Sequence, residues 1–115
     1  MAKKVMLVQN QILLKEGDHS SSMYWVQSGQ LIVTKKRGQE EVVLGHIYSG
    51  ELVGEISFLD QEARSATVKA VTDCDLIEIP QDAIDTIYST QPKWLEILVL
   101  TLAERLRKAN ARIKI

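Results

Sequence analysis

Between Val5 and Pro80 the sequence never sustains an apolar run beyond a few residues before turn residues interrupt it. VMLV and QILL precede Glu16-Gly17-Asp18. MYWVQ reaches QLIVTKK through Ser28-Gly29, and EEVVLGHI follows Arg37-Gly38 and ends before Ser49-Gly50. SATVKAV and DLIEI close the series. Short runs at this spacing predict many short strands packed as a sandwich or barrel, and Pro80 ends the strand region. Gly29 reads as a hairpin residue, because glycine enters positive φ without steric cost.

After Pro80 the period changes. Residues 81–90 predict a short helix, and Pro92 sits suitably in the first turn of a second helix spanning 92–115. In that helix Leu95, Val99, Leu102, Leu106, Ala109 and Ile113 recur at spacings of 4, 3, 4, 3 and 4, a heptad seam suited to a twin copy. Trp94, Ile97, Leu98 and Leu100 supply a second apolar surface, expected to pack on the β-domain. One domain over 1–115 is the expected organisation: a mainly β fold with C-terminal helices, the β part over about 5–80.

Charge excludes several functions. Fourteen basic and 15 acidic residues leave a net charge of -1, so any anion must be bound locally rather than by a global field. Lys35, Lys36 and Arg37 are expected to be offset by Glu40 and Glu41 across their hairpin. Lys108, Arg112 and Lys114 complement a helix C-terminus rather than read DNA. Cys74 is the single cysteine, expected as a small buried residue, and His19 and His46 form no HxH pair; no metal site is expected. No Ser-His-Asp or Cys-His arrangement stands out, so no enzyme and no cofactor are expected. The stretch from Trp94 to Ala103 is short and interrupted by Glu96, and MAKK is no secretory leader; a cytoplasmic chain without a membrane span is expected.

GEISFLDQEARSATV, residues 54–68, fits neither a helical stripe nor a strand alternation. It places Glu55 beside Gly54 and, nine residues on, Arg64 before the small residues Ser65 and Ala66. An Arg fork matches two phosphate oxygens, a carboxylate accepts from hydroxyls, and Gly54 lets backbone N–H groups approach an anion. A helical turn over 56–59 would add donors. The set suits a molecule with one anionic phosphate and a sugar hydroxyl. The competing reading is a Glu55–Arg64 salt bridge that stiffens a loop.

The order Gly54-Glu55-Ile56-Ser57 followed by Arg64-Ser65-Ala66-Thr67 resembles the phosphate-binding cassette of cyclic nucleotide-binding domains of the catabolite activator and protein kinase regulatory subunit type. Gly17, Gly29, Gly50 and the two helices extend the likeness over nearly the whole chain. The resemblance implies a double-stranded β-helix, or jelly-roll, barrel with a C-terminal lid and dimer helix. It implies a role for Arg64 on the cyclic phosphate, Glu55 on the ribose 2′-hydroxyl, Gly54 and Ile56 as backbone donors, and Ser65 on phosphate. Val33, Leu44 and Ile47 would flank the base. Counted from Pro92, Ala109 and Asn110 fall at base-reading positions, and Arg105 is expected to approach Glu55. Ala63 replaces a frequent proline and Val53 a frequent phenylalanine, leaving the polar groups intact.

The expected function is therefore a sensor for a 3′,5′-cyclic nucleotide, cyclic AMP for preference, that moves its C-terminal helix and acts as a homodimer. No DNA-binding domain is expected within these residues. The alternative is a degenerate, ligand-free dimerisation or docking module on the same fold.

Overall fold

A computed structural model describes residues 2–112, with side-chain placement up to residue 109. Two antiparallel four-stranded sheets face each other. One has the order β1 (Lys3–Leu7), β8 (Cys74–Ile79), β3 (Met23–Ser28), β6 (Leu52–Val53). The other has β2 (Ile12–Leu14), β7 (Thr67–Ala70), β4 (Leu31–Arg37), β5 (Glu40–Ile47). Between β6 and β7 lies α1 (Glu55–Asp60), and α2 (Asp82–Thr90) and α3 (Lys93–Arg112) follow β8. The mainly β jelly-roll with C-terminal helices is as expected.

The core forms where both sheets turn their apolar sides inward: Leu7, Leu14, Val26, Leu31, Val68 and Leu76 are all buried in one cluster. Each such burial contributes about 1.5–3 kcal/mol. Cys74 is buried there too, as a small residue, and is a free thiol. In the β4–β5 hairpin Lys36 lies opposite Glu41 and Arg37 opposite Glu40, which disposes of a basic patch.

Two departures from the sequence expectation have clear causes. Gly29 does not close a hairpin, because β3 and β4 belong to different sheets and the chain crosses between layers there. Its φ is 98°, and a Cβ would meet the Asp73 carbonyl oxygen at 2.5 Å and Cys74 Sγ at 2.6 Å. The glycine is required by the close approach of the β7–β8 turn.

The faces of α3 are also divided otherwise than expected. Trp94, Ile97 and Leu98 are exposed, at 63%, 57% and 47%, instead of packing on the β-domain, and Leu100 lies at the margin. The inward row is Val99, Ala103 and Arg107, with Ala103 fully buried. Within the seam, Leu95 and Val99 are half-buried while Leu102, Leu106 and Ala109 are exposed; Ile113 lies outside the described residues. A small residue lets α3 approach α1 closely, and a charged contact at Arg107 fixes it. Size and charge therefore chose the inward face over total apolar content.

Candidate functional site

A cavity of about 240 Å³ opens between the second sheet and the segment from β6 to β7. Residues 54–57 and 64–66 all line it, so the two halves of the GEIS…RSA stretch do converge. Val33 and Leu44 line it as well. Leu44 gets there through a β-bulge: Val33 pairs with Gly45 and Thr34 with Val43, leaving Leu44 as the extra residue on β5. A bulge of this kind re-aims a side chain.

Leu14, Gly45 and Val53 complete the apolar wall and were not anticipated. Gly45 comes with the bulge on β5 and Val53 with its neighbour Gly54, whereas Leu14 arrives through the sheet order. Ile47, expected at the base, packs against the core cluster instead. Arg105 is exposed on α3, on the face away from Ala103 and Arg107, and does not line the cavity with Glu55. The side chain of Asn110 lies outside the described residues.

Arg64 is 4% exposed and its backbone is held from both directions. Its N–H donates to Asp18 O at 2.8 Å, and Gly17 N–H donates to Arg64 O at 2.9 Å. The Glu16-Gly17-Asp18 turn is thus what fixes this residue at the cavity. Its guanidinium donates from Nε to Ser20 Oγ at 3.0 Å, from Nη1 to Gly54 O at 3.0 Å and from Nη2 to Ser22 O at 2.6 Å. Every one of these acceptors is neutral. A guanidinium has five N–H donors, and three are used here.

Burial pushes the Arg64 guanidinium down from its ordinary value; the nearby Tyr24 and Glu55 oppose this, and the positive charge of Arg107 reinforces it. Glu55 is close enough to act through space, yet among the described residues no ion pair joins the two. The salt-bridge reading of the loop therefore fails. What remains is a buried cation on neutral oxygens, facing a cavity that also displays a carboxylate. Buried charges are ordinarily paired, and an anion in the cavity would supply the partner.

Gly54 makes this geometry possible. It sits before α1 at φ 79°, in the left-handed region, and caps the helix without a side chain. A Cβ on it would lie 2.8 Å from Arg64 Nη1. Ser57, buried at the cavity wall, donates to Ala63 O at 3.5 Å and so ties the helix to the far side of its own loop.

A second guanidinium, which no sequence spacing pointed to, grips the same loop from outside. Arg107 on α3 donates from Nε to Asp60 Oδ2 at 2.8 Å and from Nη2 to Asp60 Oδ1 at 3.0 Å. Its Nη1 donates to Ala63 O at 2.9 Å, and its Nη2 reaches Ser57 Oγ at 3.4 Å. Burial alone would raise the Asp60 carboxyl, but the hydrogen bonds from Arg107 and Glu62 N–H, with the charge of Arg107, hold it below the ordinary carboxylate value.

Among the described residues no cluster of His, Cys, Asp and Glu is arranged to hold a metal ion, and no helix is long and apolar enough to cross a membrane.

Comparison with known proteins bears on what the cavity holds. The family model described as "Cyclic nucleotide-binding domain" matches residues 4–91. The CRP-like protein Clp of Xanthomonas oryzae pv. oryzae is 31% identical over 109 residues, covering 85% of this chain and 47% of that protein. The chain thus spans about half the length of the curated relatives it matches. Among solved structures, the cAMP-bound form of the EAL enzyme Bd1971 superposes with a TM-score of 0.87 at 29% identity, over 95% of this chain and 29% of that one. The catabolite activator protein of Thermus thermophilus gives 0.77 at 30% identity, over 96% and 52%.

Proposed function

Since the chain belongs to the cyclic nucleotide-binding domain family, we propose that it is a regulatory module that binds a 3′,5′-cyclic nucleotide, with cyclic AMP preferred, and passes occupancy to α3. The observation that carries this reading is the Arg64 guanidinium, buried at the cavity with neutral acceptors only. The cyclic phosphate would take the remaining donors of its fork. Glu55 would accept the ribose 2′-hydroxyl, while the backbone N–H groups of Gly54 and Ile56, with Ser65, complete the phosphate cradle. Val33 and Leu44 offer the apolar surface for the base. Asn110 would read the purine edge through its amide. The Bd1971 domain has been solved with cAMP and also with cGMP, so likeness alone does not choose between the bases.

The module acts in the cytoplasm as a regulator rather than a catalyst. Titration calorimetry tests the reading directly. Micromolar cyclic AMP binding, with cyclic GMP weaker, is the expected result; no heat with either nucleotide would overturn it.

One observation favours a second function for the same chain, as a dimerisation module. Leu98, Leu102 and Leu106 are each about half exposed along α3, beside Trp94 and Ala109, and an isologous contact between two such helices would cover them. Leu102→Glu is expected to convert a dimer to a monomer in sedimentation equilibrium while leaving the thermal midpoint within a few degrees. A monomeric wild type would remove the dimer.

A further inference from the structure

Among the described residues, the side-chain hydrogen bonds between α3 and the cassette come from one side chain. Arg107 bridges Ser57 and Asp60 on α1 to Ala63, the residue directly before Arg64. It thereby holds both ends of the loop that separates Glu55 from Arg64. The Arg107–Asp60 pair is bidentate and mostly buried, with side-chain exposures of 26% and 16%. Such fork-to-carboxylate geometry resists rotation as well as separation. The neighbouring inward residue one turn earlier, Ala103, has no polar group with which to do the same.

We propose that Arg107 is the positioning residue through which the anion site and the α3 helix are coupled, so that filling the cavity tightens α3 on the cassette and a tightened α3 strengthens binding. The inference rests on the nucleotide reading for the identity of the anion, and on geometry alone for the coupling.

The sign of the coupling follows from charge. Arg64 and Arg107 are two cations on the two sides of one short loop, and the charge of Arg107 acts unfavourably on Arg64. While the cavity lacks an anion, the Asp60 carboxylate offsets that repulsion only from the Arg107 side. An anionic phosphate on Arg64 removes it from the other. Anion binding therefore lowers the cost of keeping Arg107 docked, and by linkage docked Arg107 raises affinity for the anion by the same factor. Arg105 and Lys108, exposed on the same helix, have no part in this.

The test compares wild type, Arg107→Ala, Arg107→Lys and the charge exchange Arg107→Asp with Asp60→Arg. Calorimetry with cyclic AMP and amide hydrogen exchange over residues 57–64 and 99–109 are measured for each. In the nucleotide-free protein, Arg107→Ala is expected to speed exchange at least tenfold in both segments while the β-strands keep their protection, which also shows that the variant is folded. With cyclic AMP, wild type gains protection at 99–109, Arg107→Ala gains none, and its affinity falls roughly tenfold, within the usual range for coupled sites. Arg107→Lys is expected to recover part of the response and the charge exchange more of it.

If the nucleotide-free exchange of Arg107→Ala matches wild type in both segments, or if α3 in that variant responds to cyclic AMP as wild type does, the coupling role is overturned. A wild type that gives no heat with cyclic nucleotide overturns the nucleotide reading instead. The nucleotide-free arm still decides whether Arg107 links the two segments.

Discussion

Arg64→Ala is expected to weaken cyclic nucleotide binding by about 2 to 5 kcal/mol, the cost of leaving a desolvated charge without its partner. That is roughly 30- to 5,000-fold in affinity. The size follows from where the guanidinium sits. It is buried and already aligned by Ser20, Ser22 and Gly54, so the phosphate meets a fixed fork and little ordering is needed on binding. Arg64→Lys is expected to recover only a small part, since an ammonium can supply a charge but not two parallel donors. The same substitution removes three internal hydrogen bonds, and some loss of thermal stability accompanies it. Binding measured well below each variant's melting temperature separates the two effects. Equal affinity of wild type and Arg64→Ala, with both folded, would sink the assignment of this cavity.

The polar half of the site was legible in the sequence because it is local. Gly54, Glu55 and Arg64 lie within one short stretch, and folding only has to bring its two ends together. The apolar half was legible in part. Val33 could be read from its strand, whereas Leu44 reaches the cavity through a bulge that breaks the alternation on which such readings depend. Val53 follows from its place beside Gly54, whereas Leu14 arrives from β2 in the other sheet, a juxtaposition with no signature in spacing. Ile47 shares a strand with Leu44 but lies beyond the bulge, and joins the core.

The helix shows the other limit. Apolar periodicity identified α3, but not which face turns inward, because both faces carry large apolar residues. The choice fell to Ala103 and Arg107, one for its small size and the other for a carboxylate 47 positions away in sequence. Arg105, two residues earlier, points elsewhere for the same reason: the helix rotation that docks Arg107 on Asp60 exposes it. The crossing from β3 to β4 turned on equally remote facts. Gly29 was legible as a turn residue, while its role at a crossing between sheets depends on Asp73 and Cys74.

Gly54→Ala provides the second large effect, and it separates a backbone requirement from a steric one. At φ 79° an L residue costs roughly 1–2 kcal/mol relative to glycine. Gly50 has a similar φ of 91° but nothing within 4 Å of a Cβ position, so Gly50→Ala carries that conformational cost alone. At Gly54 the added methyl would lie 2.8 Å from Arg64 Nη1, 3.1 Å from Leu14 Cδ1 and 3.3 Å from Ser22 O. The nearest of these is the end of a long side chain, which in most settings would swing away at small cost. Here it is held by three hydrogen bonds, one of them to Gly54's own carbonyl, so the methyl displaces the very fork proposed to hold the phosphate. Gly50→Ala is therefore expected to lose about 1–2 kcal/mol of unfolding free energy in urea titrations, and Gly54→Ala about 1–3 kcal/mol. Only Gly54→Ala should also lose nucleotide affinity, by about 100-fold or more, because misplacing a fixed bidentate donor removes most of its value. If the two alanines weaken binding equally, the close approach of Gly54 to Arg64 plays no part in recognition, and the cassette reduces to a turn that merely tolerates positive φ.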